Sequence, residues 1–446
     1  MEQFLRQLQT IPEAAELIRR VEEGGCPAAV SGLQPVQRAC VGAAVAAACG
    51  RPAVFLCGDE REVQVLSADL ETLTGKRPVT LLGREWQFRP GAVGSRDWER
   101  SRLAALYALA QGDAPVVVAT ADGLMARTLP PETLRSLAVT LEVGGQAELG
   151  ALAEQLLSAG YTRCEQVEGV GQFALRGGIL DVFSPLMDQP VRCEFFDDEI
   201  DSMGAFDPGT QRRTRNVSSA RILPAAEVLP HCAPGGLPGL ADQLTALAEK
   251  LAKKQKTEAI VQTLREDAER LRSGAAPGAA DRYLAAIYPT VTAGVHYLPP
   301  DAVVFLSESG RVDERVKNTV LQQKQDVEAL LSAGVLAGEY AHLTLTAEEL
   351  YAALEDFPVI LEDSLPTSRH PLRPRGLLTM NAKQLSSYGG SLETAVTDLE
   401  HYRSSGSAVL VLCGGETRAK NLHRLLEEKG IPATLDLSGA AMPAAG

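Results

Sequence analysis

Hydrophobic positions divide the chain into stretches of different period. AVFLCG (53–58) and PVVVAT (115–120) are unbroken apolar runs, as strands buried on both faces require. AAVSGL (28–33) runs into a helix opened at Pro35, a favoured first helical position. Val63, Leu66, Leu70 and Leu73 recur at helical spacing, with Gly75 as the stop. Asp97 can cap a helix carrying Leu103, Leu106 and Ala110. Repeated strand–helix units predict a parallel sheet with helices on both faces.

From about 131 to 225 the period shortens. QFALR (172–176), ILDVF (179–183) and VRCEFF (191–196) read as short strands. Gly177-Gly178 and Asp207-Pro208-Gly209 punctuate them. PHCAPGGLPG (230–239) reads as a linker, 240–272 as strongly helical, and DAVVFLSES (301–309) as another buried strand. A last unit begins near 373: SAVLVLCGG (407–415) as a strand, Ala419, Leu422, Leu425 and Leu426 as a helical stripe ended by Gly430, and IPATLDL (431–437) as a second strand. The expected organisation is α/β. A parallel-sheet domain occupies 1–130 and resumes at 226–372. A small antiparallel α+β domain (131–225) is inserted in it, and a small α/β domain (373–446) follows.

Length and composition agree. At 446 residues the chain exceeds one core. No apolar run approaches 18 residues, and MEQFLRQLQT lacks the basic and apolar blocks of a signal peptide, so a cytoplasmic protein is expected. The eight cysteines include no C-x-x-C pair and read as reduced thiols. A net charge of −14 repels phosphate backbones, which favours a protein partner over DNA for this portion. The acidic run EFFDDEIDS (194–202) lacks calcium-loop spacing and reads as a hairpin with a solvated acidic face. Arg212 and Arg213 form a small basic patch, read as local charge balancing, and Trp86 and Trp98 read as packing residues.

The order of motifs within the inserted segment is specific. GY-x-R (160–163) is followed by G-x-F-x-x-RGGI-x-DVF (171–183), EFFDDEIDS, FDP-x-x-Q (206–211) and ILPA (222–225). This series resembles the second domain shared by UvrB and the transcription-repair coupling factors of bacterial nucleotide excision repair. The resemblance implies a degenerate helicase-like parallel-sheet domain around the insertion. It also implies docking of UvrA through Arg163, Arg176 and Phe183. UvrB has a further arginine at the position of Ala174. Without the resemblance, Arg163 and Arg176 would be read as pairing with acids such as Glu165, and Phe183 as core.

In a motor domain of that layout, a phosphate loop G-x-x-x-x-G-K-[ST] follows the first strand. Here Gly32 is followed by Gln37, Arg38 and Ala39 at the glycine, lysine and hydroxyl positions. The second nucleotide motif expects Asp-Glu after the strand at 303–306, where the chain has Ser307 and Glu308. Residues 84–109 are too short, and too poor in tyrosine, for UvrB's DNA-clamping hairpin. The resemblance therefore implies the N-terminal part of a coupling factor. That is a catalytically silent adaptor, monomeric and without metal or nucleotide of its own. RNA polymerase, double-stranded DNA, ATP and magnesium would be engaged by segments further along. Two other readings are an ATP-dependent, UvrB-like damage-loading factor and a DNA-binding module.

Overall fold

The computed structural model describes residues 1–89, 97–255, 257–383 and 392–438. Strands β1 (Ala28–Ser31), β2 (Ala53–Cys57), β3 (Val79–Leu81) and β4 (Val116–Thr120) come first. Next are β5 (Val139–Glu142), β6 (Thr162–Arg163), β7 (Gln172–Arg176), β8 (Ile179–Val182), β9 (Val191–Phe196), β10 (Glu199–Phe206), β11 (Arg213–Asn216) and β12 (Ser219–Ile222). The chain then returns with β13 (Val303–Ser307), β14 (Val359–Asp363) and β15 (Gly376–Thr379).

Seven strands make one parallel sheet in the order β15-β1-β14-β13-β2-β4-β3. Its central strands are fully buried, as their unbroken apolar runs required. Helices Glu2–Gln9, Pro12–Glu22, Pro35–Cys49 and Glu60–Thr74 pack on one face around Phe55 and Phe305, stacked 4.8 Å apart. Helices Asp97–Ala110, Gly236–Leu251, Glu258–Arg272 and Ser309–Ser332 build the other core. The α/β class expected from the sequence is the one observed. No helix among the described residues is long and apolar enough to cross a membrane.

The segment between β4 and β13 carries a six-stranded sheet, order β11-β10-β9-β8-β7-β6, and a ribbon of β5 and β12. Helix Leu149–Ser158 and the ribbon cover one face, around Phe173, Leu180, Val182, Cys193 and Ile200. The other face is the open one. Arg102 joins this unit to the parallel sheet: its Nε donates to Glu227 Oε1 at 2.8 Å, and Thr128 donates to Glu227 Oε2 at 2.7 Å. Burial pushes the Glu227 carboxyl up, but Arg102 and Arg84 outweigh it and hold the group below the usual carboxylate range. Arg84 also pairs with Asp281 at 2.5 Å and lies 4.3 Å from the Trp86 ring centroid, so the start of the 84–109 stretch folds back onto the core. Positions 90–96 of that stretch lie outside the described residues.

Two expectations are corrected. Residues 230–239 are not a solvated linker. Left-handed Gly235 starts helix Gly236–Leu251, and Gly239 abuts the Pro234 carbonyl so closely that a Cβ would stand 2.2 Å from it. The stretch 240–272 is strongly helical as expected, in two helices whose apolar faces meet, Leu240, Leu244 and Leu251 on the first and Ile260, Leu264 and Leu271 on the second. In the last unit, helix Glu416–Glu428 forms as its stripe predicts, beside helix Leu392–Ser404. The stretches 407–413 and 431–437 form no strand among the described residues, and Leu410, Val411 and Leu412 are exposed. A strand exists only through its hydrogen-bonded neighbour, and neither stretch has one there.

Candidate functional site

The loops after β1, β2, β13 and β14 meet at the carboxyl edge of the parallel sheet, around one side chain. Arg38, 3% exposed, leaves the first turn of helix Pro35–Cys49. Its Nε donates to Ser307 Oγ at 2.8 Å. Its Nη1 donates to Glu308 Oε1 at 2.6 Å and to the Leu33 carbonyl at 3.1 Å. Its Nη2 donates to Glu62 Oε1 at 3.1 Å. The main chain after β15 closes in on the same region. Gly32 has φ 92°, and a Cβ there would stand 2.1 Å from the Met380 carbonyl. Gln37 accepts from the Gln34 amide at 2.8 Å and donates to the Lys383 carbonyl at 3.0 Å. The helix N-terminus is thus occupied by the chain's own groups, and Ala39 is turned into the core.

Glu362 lies under this cluster, fully buried, with neither carboxylate oxygen hydrogen-bonded among the described residues. Burial pushes its carboxyl well above the ordinary range, and Arg38 pulls it down only in part. The folded chain therefore holds this proton at pH values where the unfolded chain has lost it. Stability falls as pH rises above 4.5, the ordinary value of a glutamate carboxyl, by about 1.4 kcal/mol per pH unit until the folded group ionises. Glu362→Gln keeps the neutral shape, so it is expected to raise Tm at pH 7.5 and flatten the profile between pH 5 and 7.5. A variant whose Tm tracks the wild type across that range would count against this account. Nearby, Ser309, Asp363 and His370 gather, but Ser309 is fully buried, and its amide and hydroxyl cap their own helix through Asp363 at 2.9 Å.

Alternation along the strands assigns the open face of the six-stranded sheet. Phe173, Leu180, Val182, Val191 and Cys193 point into the helix-covered core. Ala174, Arg176, Ile179, Asp181, Arg192, Glu194, Phe196, Ser202 and Gly204 therefore point the other way, aligned by the pairs Arg176↔Ile179, Ile179↔Glu194, Asp181↔Arg192 and Ser202↔Glu194. Asp181 is fully buried at the centre. It accepts from Arg192 at 2.7 and 2.8 Å and from Arg176 at 2.6 Å. Those bonds keep Arg192 above the usual guanidinium range, and its head lies 4.7 Å from the Phe206 ring centroid. Arg213 crosses from β11 over Gly204, where a Cβ would lie 1.9 Å from its Nε, and donates to the Met203 carbonyl and to Ser202.

Several motif residues hold the fold itself. Tyr161 of GY-x-R donates to the Leu223 carbonyl of ILPA at 2.5 Å. Gln211 of FDP-x-x-Q donates to the Val167 carbonyl at 3.0 Å. Gly178 of RGG leaves only 2.9 Å between a Cβ and the Phe195 carbonyl. The acidic run forms the hairpin turn expected of it, with Asp197 in the left-handed region.

The segment carrying this face, residues 139–227, matches the family described as the UvrB interaction domain. The wider chain is similar to transcription-repair-coupling factors. It is 26% identical to that of Bacillus subtilis (strain 168) over 430 residues, covering 96% of this chain and 36% of the relative. With that of Myxococcus xanthus it is 29% identical over 423 residues, covering 90% and 34%. With that of Staphylococcus aureus (strain USA300) it is 25% identical over 346 residues, covering 75% and 28%. The chain spans about a third of the length of these relatives. The resemblance read from the motifs is thus borne out: the inserted segment matches the UvrB interaction domain, and the wider chain is similar to coupling factors.

Within this segment, the three residues named from the motifs divide between the two sides of the sheet, Arg176 and Phe183 on one and Arg163 on the other. Arg176 is on the open face, with its side chain 49% exposed. Arg163 is exposed and without a hydrogen bond or ion pair among the described residues, but it pairs in register with core-facing Phe173. Its side chain therefore leaves the sheet edge on the opposite side from Arg176. Phe183 follows Asp181 by two positions and so lies on the same side of the sheet as Arg176, where it is 8% exposed and packs with Val167, Ala174 and Phe206. Arg176 pairs with an acid, as its plainer reading held, but the acid is buried Asp181 rather than Glu165. Sequence reasoning missed Asp181, Arg192, Glu62 and Glu362. Arg192 and Asp181 were readable as polar positions of alternating strands, whereas nothing local links Glu62 to Arg38.

Proposed function

We propose that this chain is a non-catalytic adaptor of transcription-coupled nucleotide excision repair, which recruits UvrA through its UvrB interaction domain. The observation that carries the reading is the match over 139–227, on a sheet that leaves one face open. Arg176 engages the partner from that face, Arg163 from the sheet edge, and Phe183 braces one end of the face by packing with Val167, Ala174 and Phe206. RNA polymerase and double-stranded DNA are contacted by other parts of the longer parent protein, which acts in the cytoplasm. The chain itself works as a monomer. Calorimetric titration of this chain with UvrA from the same organism tests the reading, and absence of binding would overturn it.

We also propose that the chain handles no nucleotide, ATP and magnesium being used only by the parent's other segments. Three features support this. Arg38 fills the carboxyl edge with its own cation, the Met380–Lys383 backbone crowds the loop after β1, and Ser307 and Ala39 stand where magnesium contacts would be. A ligand that binds only the native state raises its melting temperature. Mg-ATP at millimolar concentration is therefore expected to leave Tm unchanged, with no phosphate release. A reproducible thermal shift would overturn the assignment.

A further inference from the structure

Phe196 is the most exposed large apolar side chain among the described residues, at 81%. It follows Arg192 and Glu194 by steps of two along β9, which places it on the open face, at the end of the sheet. Beside it is a shallow depression of about 450 Å³, lined by Gly178, Ile179, Glu194, Phe195, Phe196 and Asp201. Two details of the backbone shape it. Gly178 has no side chain to fill it, and a register shift between Ile200 and Ser202 re-aims Asp201 toward it.

Charge decides what the depression suits. The arginines of the face are already engaged: Arg176 and Arg192 by Asp181, and Arg213 by Met203 and Ser202. Glu194 accepts only the Ser202 hydroxyl, at 2.7 Å, and neither Glu194 nor Asp201 has a cation within salt-bridge reach among the described residues. The charged groups that line the depression, Glu194 and Asp201, are thus both negative, and they border an exposed aromatic ring. A cation over such a ring is attracted by its quadrupole, and more strongly once desolvated.

We infer that this depression receives a cationic side chain, arginine or lysine, projecting from the docked protein. The cation lies against Phe196 with its head between Glu194 and Asp201. The inference rests on the adaptor reading for the identity of the partner, but not for the chemistry of the pocket. It makes Phe196 the apolar anchor of the docking face, in place of buried Phe183.

Two measurements on the full chain test it separately. In titrations with UvrA, Phe196→Ala is expected to weaken binding by about tenfold or more, as loss of an interface anchor does, with Tm unchanged. Glu194→Gln/Asp201→Asn is expected to weaken it in the same direction. Independently, Phe196→Trp is titrated with a triarginine peptide. Its added fluorescence is expected to quench, and the quench is expected to vanish in Phe196→Trp/Glu194→Gln/Asp201→Asn. If UvrA binds wild type and Phe196→Ala alike, or if the peptide quenches both tryptophan variants equally, the inference is overturned while the adaptor reading stands. If the peptide response behaves as expected but UvrA does not bind the wild type, the adaptor reading fails and the cation pocket survives.

Discussion

Arg38→Ala is expected to unfold the parallel-sheet unit at markedly lower temperature. The guanidinium is 3% exposed and bonds to two carboxylates, a hydroxyl and a carbonyl from the loops after β1, β2 and β13. Deleting it leaves Glu62 and Glu308 without their shared cation, and removes from Glu362 the one neighbour that lowers its proton affinity. Breaking a buried pair by removing one partner typically costs about 3–5 kcal/mol, because the remaining charge is uncompensated. Arg38→Lys keeps the charge but not the planar fork, and should recover only part of the loss. Differential scanning calorimetry of the three proteins at pH 7.5 checks this. A Tm for Arg38→Ala within a degree of wild type would show that the cluster contributes nothing to stability.

Arg176→Glu is expected to abolish most UvrA binding while leaving the chain folded. Asp181 keeps both of its bonds to Arg192 when Arg176 is lost, so the buried carboxylate is not orphaned. Arg176 is half exposed while Asp181 is buried, so the single bond lost between them costs about 1.5–3 kcal/mol, as hydrogen bonds to charged groups do, and the two bonds from Arg192 remain. Truncating or reversing a charge that is desolvated in a complex costs about 2–5 kcal/mol of binding. Arg176→Gln removes the charge without adding a carboxylate beside Asp181, and should fall between wild type and Arg176→Glu. Arg163→Ala, whose side chain leaves the other side of the sheet, is expected to cost less than Arg176→Glu. Calorimetry with UvrA, with circular dichroism as the folding control, reads all three. Equal affinities for wild type and a folded Arg176→Glu would remove Arg176 from the interface.

The two sites differ in how far they could be read from the chain. Continuous apolar runs at 53–58 and 115–120 could only be doubly buried strands, and helical stripes such as Val63, Leu66, Leu70 and Leu73 had one face to bury. Those are local signals of period and composition, and the elements followed them. The motif series from Gly160 to Ala225 was equally legible, because the turns, the Tyr161 bond and the Gln211 bond demand particular residues at particular spacings. Local patterns failed where a partner was needed. SAVLVLC has strand composition, but no strand exists without a neighbour to share its hydrogen bonds.

The sequence by itself determined the α/β order, the inserted sheet and the family resemblance, and it put Gln37, Arg38, Ala39 and Ser307 where that resemblance leads one to expect other residues. Only the tertiary structure decided what those replacements do. Arg38 reaches Ser307 and Glu308 across about 270 positions of chain, and parallel strand order alone brings these residues together. Likewise, the motifs named Arg163, Arg176 and Phe183 as one group, but strand register separates Arg163 from the other two. A side chain's face alternates at every residue, so the pairing of Arg163 with Phe173 sends it away from Arg176, whereas the step from core-facing Val182 to Phe183 puts the ring on the side of Arg176, buried there against Val167, Ala174 and Phe206. Phe196, which no motif reading singled out, is left exposed because the hairpin ends there and nothing among the described residues packs over it.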